Sequence, residues 1–151
     1  MKVVLQVVQR ASVTIDHEVV ASIGKGYLLL AAFTEGDTLE IARKMADKIV
    51  KSRLFPDENG KTNLSLSTIG GEILSVSQFT LYGSIKEGNR PSFVASMNQE
   101  QARPLYEAFY AYLHEIYPSS CSGVFHADMK VELVNDGPFT LVLDSKELFS
   151  K

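Results

Sequence analysis

Val3, Leu5 and Val7 alternate with Lys2, Val4 and Gln6, the period-two pattern of a strand with one covered face. Ser12–Ile15 and Val19–Ile23 flank Asp16-His17-Glu18, which predicts two further strand segments around a hairpin tip. After the Gly24-Lys25-Gly26 turn, Tyr27–Phe33 is apolar at every position. Such a run fits a strand covered on both faces. Asp37, with Glu40 three residues on, resembles a capping box. Ala42, Met45, Ala46, Ile49 and Val50 then fall on one helical face. Pro56–Gly60 is turn chemistry and ends this unit.

Gly70-Gly71 separates a short segment, Leu64–Ile69, from the alternating run Glu72–Phe79, which predicts a strand. Gly83–Ser92 reads as a polar loop. A second helix is expected over Gln99–Ile116, with Leu105, Ala108, Phe109, Tyr112 and Ile116 on its inner face. Pro104 fits only near a first turn, so the helix is expected to start late or bend there. Pro118–Gly123 reads as a loop, Met129–Val134 as a strand, Asn135–Pro138 as a hairpin turn, Phe139–Leu143 as the last strand, and the tail from Ser145 as mobile. Together these predict one α+β domain over residues 1–151, with many strands joined by turns and two main helices.

Composition narrows the class. With 151 residues and 45% hydrophobic content, the chain can bury about two-thirds of its extended surface and needs no covalent staples. No apolar run approaches a membrane span of about 20 residues, and the N-terminus lacks a signal-peptide pattern. The single cysteine, Cys121, has no internal partner, which points to a reducing, cytoplasmic setting. Fifteen basic against eighteen acidic residues give a net charge of −3. This argues against coating a long nucleic acid but not against touching the end of one.

Most familiar chemistry is missing. His17, His114 and His126 form no HxxxH or HExxH pair, and no metal site is expected. Cys121 has no neighbouring base, and no nucleophile elbow or phosphate-binding loop is present. Two segments stand out. Ser77-Gln78-Phe79-Thr80 clusters an amide and hydroxyls around one aromatic; it reads either as a strand end or as the rim of a polar pocket. Asn135-Asp136-Gly137-Pro138 sits between two apolar strands.

Both segments resemble motifs of bacterial-type D-aminoacyl-tRNA deacylases. Arg10–Thr14, Arg53-Leu54-Phe55, Gly60-Lys61 with Asn63-Leu64, Gly71–Leu74, Gly88–Phe93 and Ala127-Asp128-Met129 match in the same order, so the resemblance spans nearly the whole length. It implies mostly antiparallel sheets in a barrel-like arrangement with two flanking helices. It also implies a homodimer with active sites at the interface and no cofactor. The implied activity is hydrolysis of the ester joining a D-amino acid, or glycine, to the 3′ end of tRNA. By resemblance Ser77, Gln78, Phe79 and Thr80 form the catalytic pocket, with the Phe79 N–H facing the oxyanion. Gly137 and Pro138 match a Gly-cisPro motif that enters the partner's pocket and rejects L side chains. Thr80 is expected to position rather than attack. Lys86 and Arg90 are candidate tRNA contacts, or simply members of a solvated loop. Val7 stands where Arg is common, Phe139 where Val is usual, Thr62 for a common Met, His126 for a common Gly, and Gly83-Ser84-Ile85 for a usual Ala-Asp-Thr. Val7 and Phe139 bear on the motif's orientation, so a deacylase with relaxed chirality is one alternative. A non-catalytic module that binds the tRNA end is another.

Overall fold

The computed structural model describes residues 1–150. A 14-residue strand, β1 (Lys2–Ile15), organises the fold. Along one edge it pairs antiparallel with β8 (Lys130–Asp144), from Lys2↔Asp144 to Thr14↔Lys130. Its other edge is shared by β3 (Gly26–Ala32) over Lys2–Val8 and by β2 (Glu18–Ile23) over Ala11–Ile15. The segments expected as two strands are therefore one. The register slips between Gln6 and Arg10 let it bend from one partner to the other.

Beyond β3 the sheet turns parallel, to β6 (Glu72–Ser77) and then β7 (Ser120–Ser122). Pairing is still mostly antiparallel, as expected, with the parallel part confined to β3, β6 and β7, and the sheet curls into a nearly closed barrel. Parallel pairing needs a crossover. Here α1 (Leu39–Lys51), the small β4 (Phe55–Pro56) and β5 (Thr62–Leu64) hairpin, and α2 (Leu66–Ile69) supply it between β3 and β6. Between β6 and β7 the crossover is α3 (Gln99–Ile116). The close approach of β3 and β6 requires Gly26, where a Cβ would lie 1.8 Å from the Glu72 carbonyl oxygen.

The apolar run of β3 is buried because it has a core on each side. Tyr27, Leu29 and Ala31 pack with Val3, Leu5, Val7 and Ile73 beneath the helices. Leu28 instead joins Val8, Ala11, Val13, Leu74 and Val76 inside the barrel. Helix α1 buries Ala42, Met45, Ala46 and Ile49, as its periodicity predicts. Its cap is not Asp37 but Thr38, whose hydroxyl accepts from the Ile41 N–H. Asp37 turns inward instead. Its carboxylate accepts from the Thr34 N–H and pairs with the Met1 α-ammonium, each at 2.7 Å.

Helix α3 begins at Gln99, capped by Asn98, and runs through Pro104 without interruption. Its buried face is Ala102, Tyr106, Phe109 and Leu113, rotated from the expected stripe, with only Phe109 in common. Tyr106 can turn inward because its hydroxyl finds buried partners. Ser120–Ser122, expected as loop, extends the parallel ladder, and residues 145–149 form α4 (Ser145–Phe149) rather than a mobile tail. Asn135–Pro138 is no hairpin. It is a bulge inside the continuous strand β8, between the pairs Val8↔Asn135 and Gln6↔Thr140. No helix among the described residues is long and apolar enough to cross a membrane.

Candidate active site

Strand β6 ends at Ser77, and the chain tightens into a 3-10 turn over Phe79–Tyr82. The Gln78 N–H still donates to the Ala31 carbonyl at 2.8 Å, and Leu81 N–H returns to the Gln78 carbonyl. The first N–H groups of such a turn have no helical acceptor. Those of Phe79 and Thr80 are not paired among the described residues. Glycine is required where the turn ends: a Cβ on Gly83 would lie 2.8 Å from the Phe93 ring and 3.0 Å from the Thr80 carbonyl. Phe93 in turn meets the Phe79 ring edge-to-face, with centroids 5.2 Å apart.

Ser77, Gln78 and Phe79 form one wall of a cavity of about 380 Å³. Ala31 and Ala32 of β3 with Phe33 just beyond it, and Ala102 and Tyr106 of α3, add two more walls, and Phe125–Met129 completes the lining. The Ser77 hydroxyl has no hydrogen-bond partner among the described residues, which leaves it available to a ligand. Thr80 stands just outside the cavity lining, where its hydroxyl accepts from the Gln78 side-chain amide. No base contacts Thr80, so this arrangement suits it to hold Gln78 rather than to attack.

Behind this wall runs a buried hydroxyl chain. Tyr106 Oη lies 2.9 Å from both Ser75 Oγ and Ser122 Oγ, and Ser122 donates to the Gly123 carbonyl at 2.7 Å. Burial pushes the Tyr106 phenol up to about 12, more than its two serine bonds lower it, so it is neutral across the physiological range.

Gly137 and Pro138 do not join this cavity. They are exposed at the crest of the β8 bulge, with the peptide between them cis. Asn135 anchors the bulge: its Nδ2 donates to the carbonyls of Val7 and Phe139, both at 2.9 Å. Val7 itself is buried in the helix-side core, and the Phe139 ring packs against that core. One chain therefore assembles the Ser77–Phe79 wall but places Gly137-Pro138 elsewhere.

A family model described as D-Tyr-tRNA(Tyr) deacylase matches residues 4–144. The chain belongs to that family. It is 55% identical over 144 residues to the D-aminoacyl-tRNA deacylase of Lactobacillus gasseri, covering 95% of this chain and 99% of the relative. It is 44% identical over 149 residues to that of Clostridium acetobutylicum, covering 99% and 100%. Among solved structures, the c-Myc DNA Unwinding Element Binding Protein superposes with a TM-score of 0.89 at 40% identity, over 95% of this chain and 98% of that one. A probable eukaryotic D-amino acid tRNA deacylase superposes at 0.81 over 94% and 97%; its 18% identity speaks to the fold alone. The enzyme is a hydrolase of aminoacyl-tRNA esters, a D-aminoacyl-tRNA deacylase.

The remaining expected residues divide. Lys86 and Arg90 lie exposed on the loop after the 3-10 turn, closed by the Ser84↔Ser92 bridge. His17 sits at the hairpin tip with φ +69°. His114 bonds Ser120 through its ring nitrogen at 3.0 Å. The Cys121 thiol is raised by burial, opposite to an activated nucleophile. Sequence reading missed Tyr106, whose polar partners are far away in the chain. It also missed Phe93, although that residue ends the Gly88–Phe93 segment on which the resemblance partly rests.

Proposed function

We propose that the cavity holds the ester end of a D-aminoacyl-tRNA, with the ester carbonyl at the unpaired Phe79 N–H. That free donor at the cavity wall is the observation that carries the reading. Aminoacyl esters are already activated, so the task is to place a water and stabilise the oxyanion that forms. Water adds to the carbonyl carbon. The bond to the ribose oxygen then breaks, and the water's proton passes to that oxygen as the free amino acid leaves. The Ser77 hydroxyl and the Gln78 amide, held by Thr80, orient ester and ribose.

Gly137-Pro138 acts on the cavity of a second copy. Its exposure outside its own cavity, on a bulge fixed by Asn135, supports this role. There it blocks the direction an L side chain would take, while D side chains and glycine fit, including glycine mischarged on the tRNA for alanine. Such exclusion specifies chirality without gripping any one side chain. Lys86 and Arg90 supply the few phosphate contacts that a substrate end requires. No metal or organic cofactor takes part, and the cytoplasm, where charged tRNA resides, is the site of action.

The test is hydrolysis of D-Tyr-, D-Asp- and Gly-charged tRNA by protein dialysed against a chelator, with L-Tyr-tRNA as control. Release of D-amino acids and glycine with L-Tyr-tRNA spared is the expected result. Equal attack on the L ester would overturn the chiral role. Full activity in a monomer would overturn the shared site.

A further inference from the structure

The Phe125–Met129 part of the cavity lining carries a residue without a role in the reading above. Val124–Ala127 forms a turn closed by the Ala127 N–H on the Val124 carbonyl, 3.2 Å. Its third residue, His126, has φ +66°, a conformation that glycine adopts freely and side-chain-bearing residues seldom do. The imidazole is exposed at the cavity rim and makes no hydrogen bond among the described residues. It is stacked beside Phe125, with ring centroids 6.4 Å apart and planes 26° apart. An unusual backbone conformation that keeps a titratable ring at a cavity mouth invites a functional explanation.

We propose that His126 contacts the phosphodiester linking the terminal nucleoside of the charged RNA to the rest of its strand. The inference rests on the deacylase reading and adds a binding contact to it. With the ester at the Phe79 wall, the sugar-phosphate tail must leave through the mouth. The charged side chains near His126 come as two pairs of opposite sign, so among the described residues a protonated imidazole is the one cation at the rim without a carboxylate partner. From α3, the Arg103 guanidinium lies 5.0 Å from the centre of the Phe125 ring, with Glu107 at 3.8 Å from Arg103. Tyr106, from the same helix, is neutral. From the 125–131 segment, Asp128 is the carboxylate nearby, and both its oxygens lie 3.2 Å from Lys130 Nζ. The Val76–Phe79 wall contributes no charged side chain. Protonation turns an imidazole into a cation, so the contact strengthens as pH falls.

The test follows the His126 ring signals by NMR, assigned with His126→Gly, in the presence of CCA trinucleotide or of adenosine. The ring midpoint should rise by about half a pH unit or more with CCA and stay unchanged with adenosine. Equal midpoints with both ligands would overturn the contact. His126→Gly suits the left-handed backbone and should fold. Its KM for D-Tyr-tRNA should rise about 3- to 10-fold at pH 6 and less at pH 8. An unchanged KM, or an equal rise at both pH values, would overturn the charge role. Failure of the deacylase reading would appear separately, as no ester cleavage by the unaltered protein.

Discussion

Tyr106→Phe isolates the hydroxyl chain behind the Ser77–Phe79 wall of the cavity. Ser122 spends its one proton on the Gly123 carbonyl, so Tyr106 must donate to Ser122, and Ser75 must donate to Tyr106. Removing the phenolic oxygen leaves Ser122 bonded but strands the Ser75 hydroxyl, which is fully buried and has no other side-chain partner. An orphaned buried donor costs about 1–3 kcal/mol, so a loss of about 2 kcal/mol is expected. In a domain of this size that lowers Tm by about 4–8 °C. Urea unfolding with unchanged slope is the assay. Adding Ser75→Ala removes the orphan, so the double variant should regain about 1 kcal/mol over Tyr106→Phe alone. A loss below about 0.5 kcal/mol, or no recovery in the double variant, would refute the chain as drawn. The pH dependence supplies a second check. The folded phenol titrates near 12, above its ordinary value of 10, because burial disfavours the phenolate. Its contribution is complete below pH 10 and is lost as pH rises through about 12. The alkaline fall in stability should be shallower in Tyr106→Phe.

Other substitutions probe the surroundings of the site. Asp37→Asn removes the partner of the buried Met1 ammonium and should cost about 3 kcal/mol in chemical denaturation; a loss under about 1 kcal/mol would show the pair to be dispensable. Gly83→Ala drives a methyl into Phe93 and the Thr80 carbonyl. It should destabilise by about 1–3 kcal/mol and reduce kcat on D-Tyr-tRNA, since Phe93 backs Phe79; wild-type kcat would contradict this. Asn135→Ala releases both carbonyls that fix the β8 bulge. The ratio of D- to L-Tyr-tRNA hydrolysis should fall about tenfold while the D-substrate kcat changes less, and an unchanged ratio would separate the bulge from chirality.

Much of the fold is legible in local pattern because local physics decides it. The stripe on α1 and the doubly covered β3 follow from periodicity, and both are found. The errors arise where distant partners decide. Asp37 reads as a cap, yet the chain's own ammonium draws its carboxylate inward. Tyr106 is missing from the expected inner face of the helix because the partners that let it turn inward, Ser75 and Ser122, are 31 and 16 positions away. Ser120–Ser122 lacks apolar alternation, and pairing with β6 makes it a strand. The cavity wall at Ser77–Phe79 was readable through its resemblance, but its free N–H groups follow from the 3-10 turn that Gly83 allows.

Asn135–Pro138 shows most clearly how a local signal can be right in chemistry and wrong in topology. Asn-Asp-Gly-Pro is turn chemistry, and the chain does turn away from the ladder there. But β1 continues through Gln6, Val7 and Val8, so β8 must rejoin it at Thr140. The four residues between Asn135 and Thr140 face only Val7 and are extruded as a bulge. Asn135 fixes its depth by donating to both the Val7 and Phe139 carbonyls. Those bonds use backbone oxygens, so they are available to Val7 as to any residue in its place, and Phe139 anchors the exit by packing on the core. The exposed crest and the open cavity lie apart within one chain. On the proposed reading a second copy brings them together, and the small charge of the chain is then sufficient, because only the end of the RNA enters the shared site.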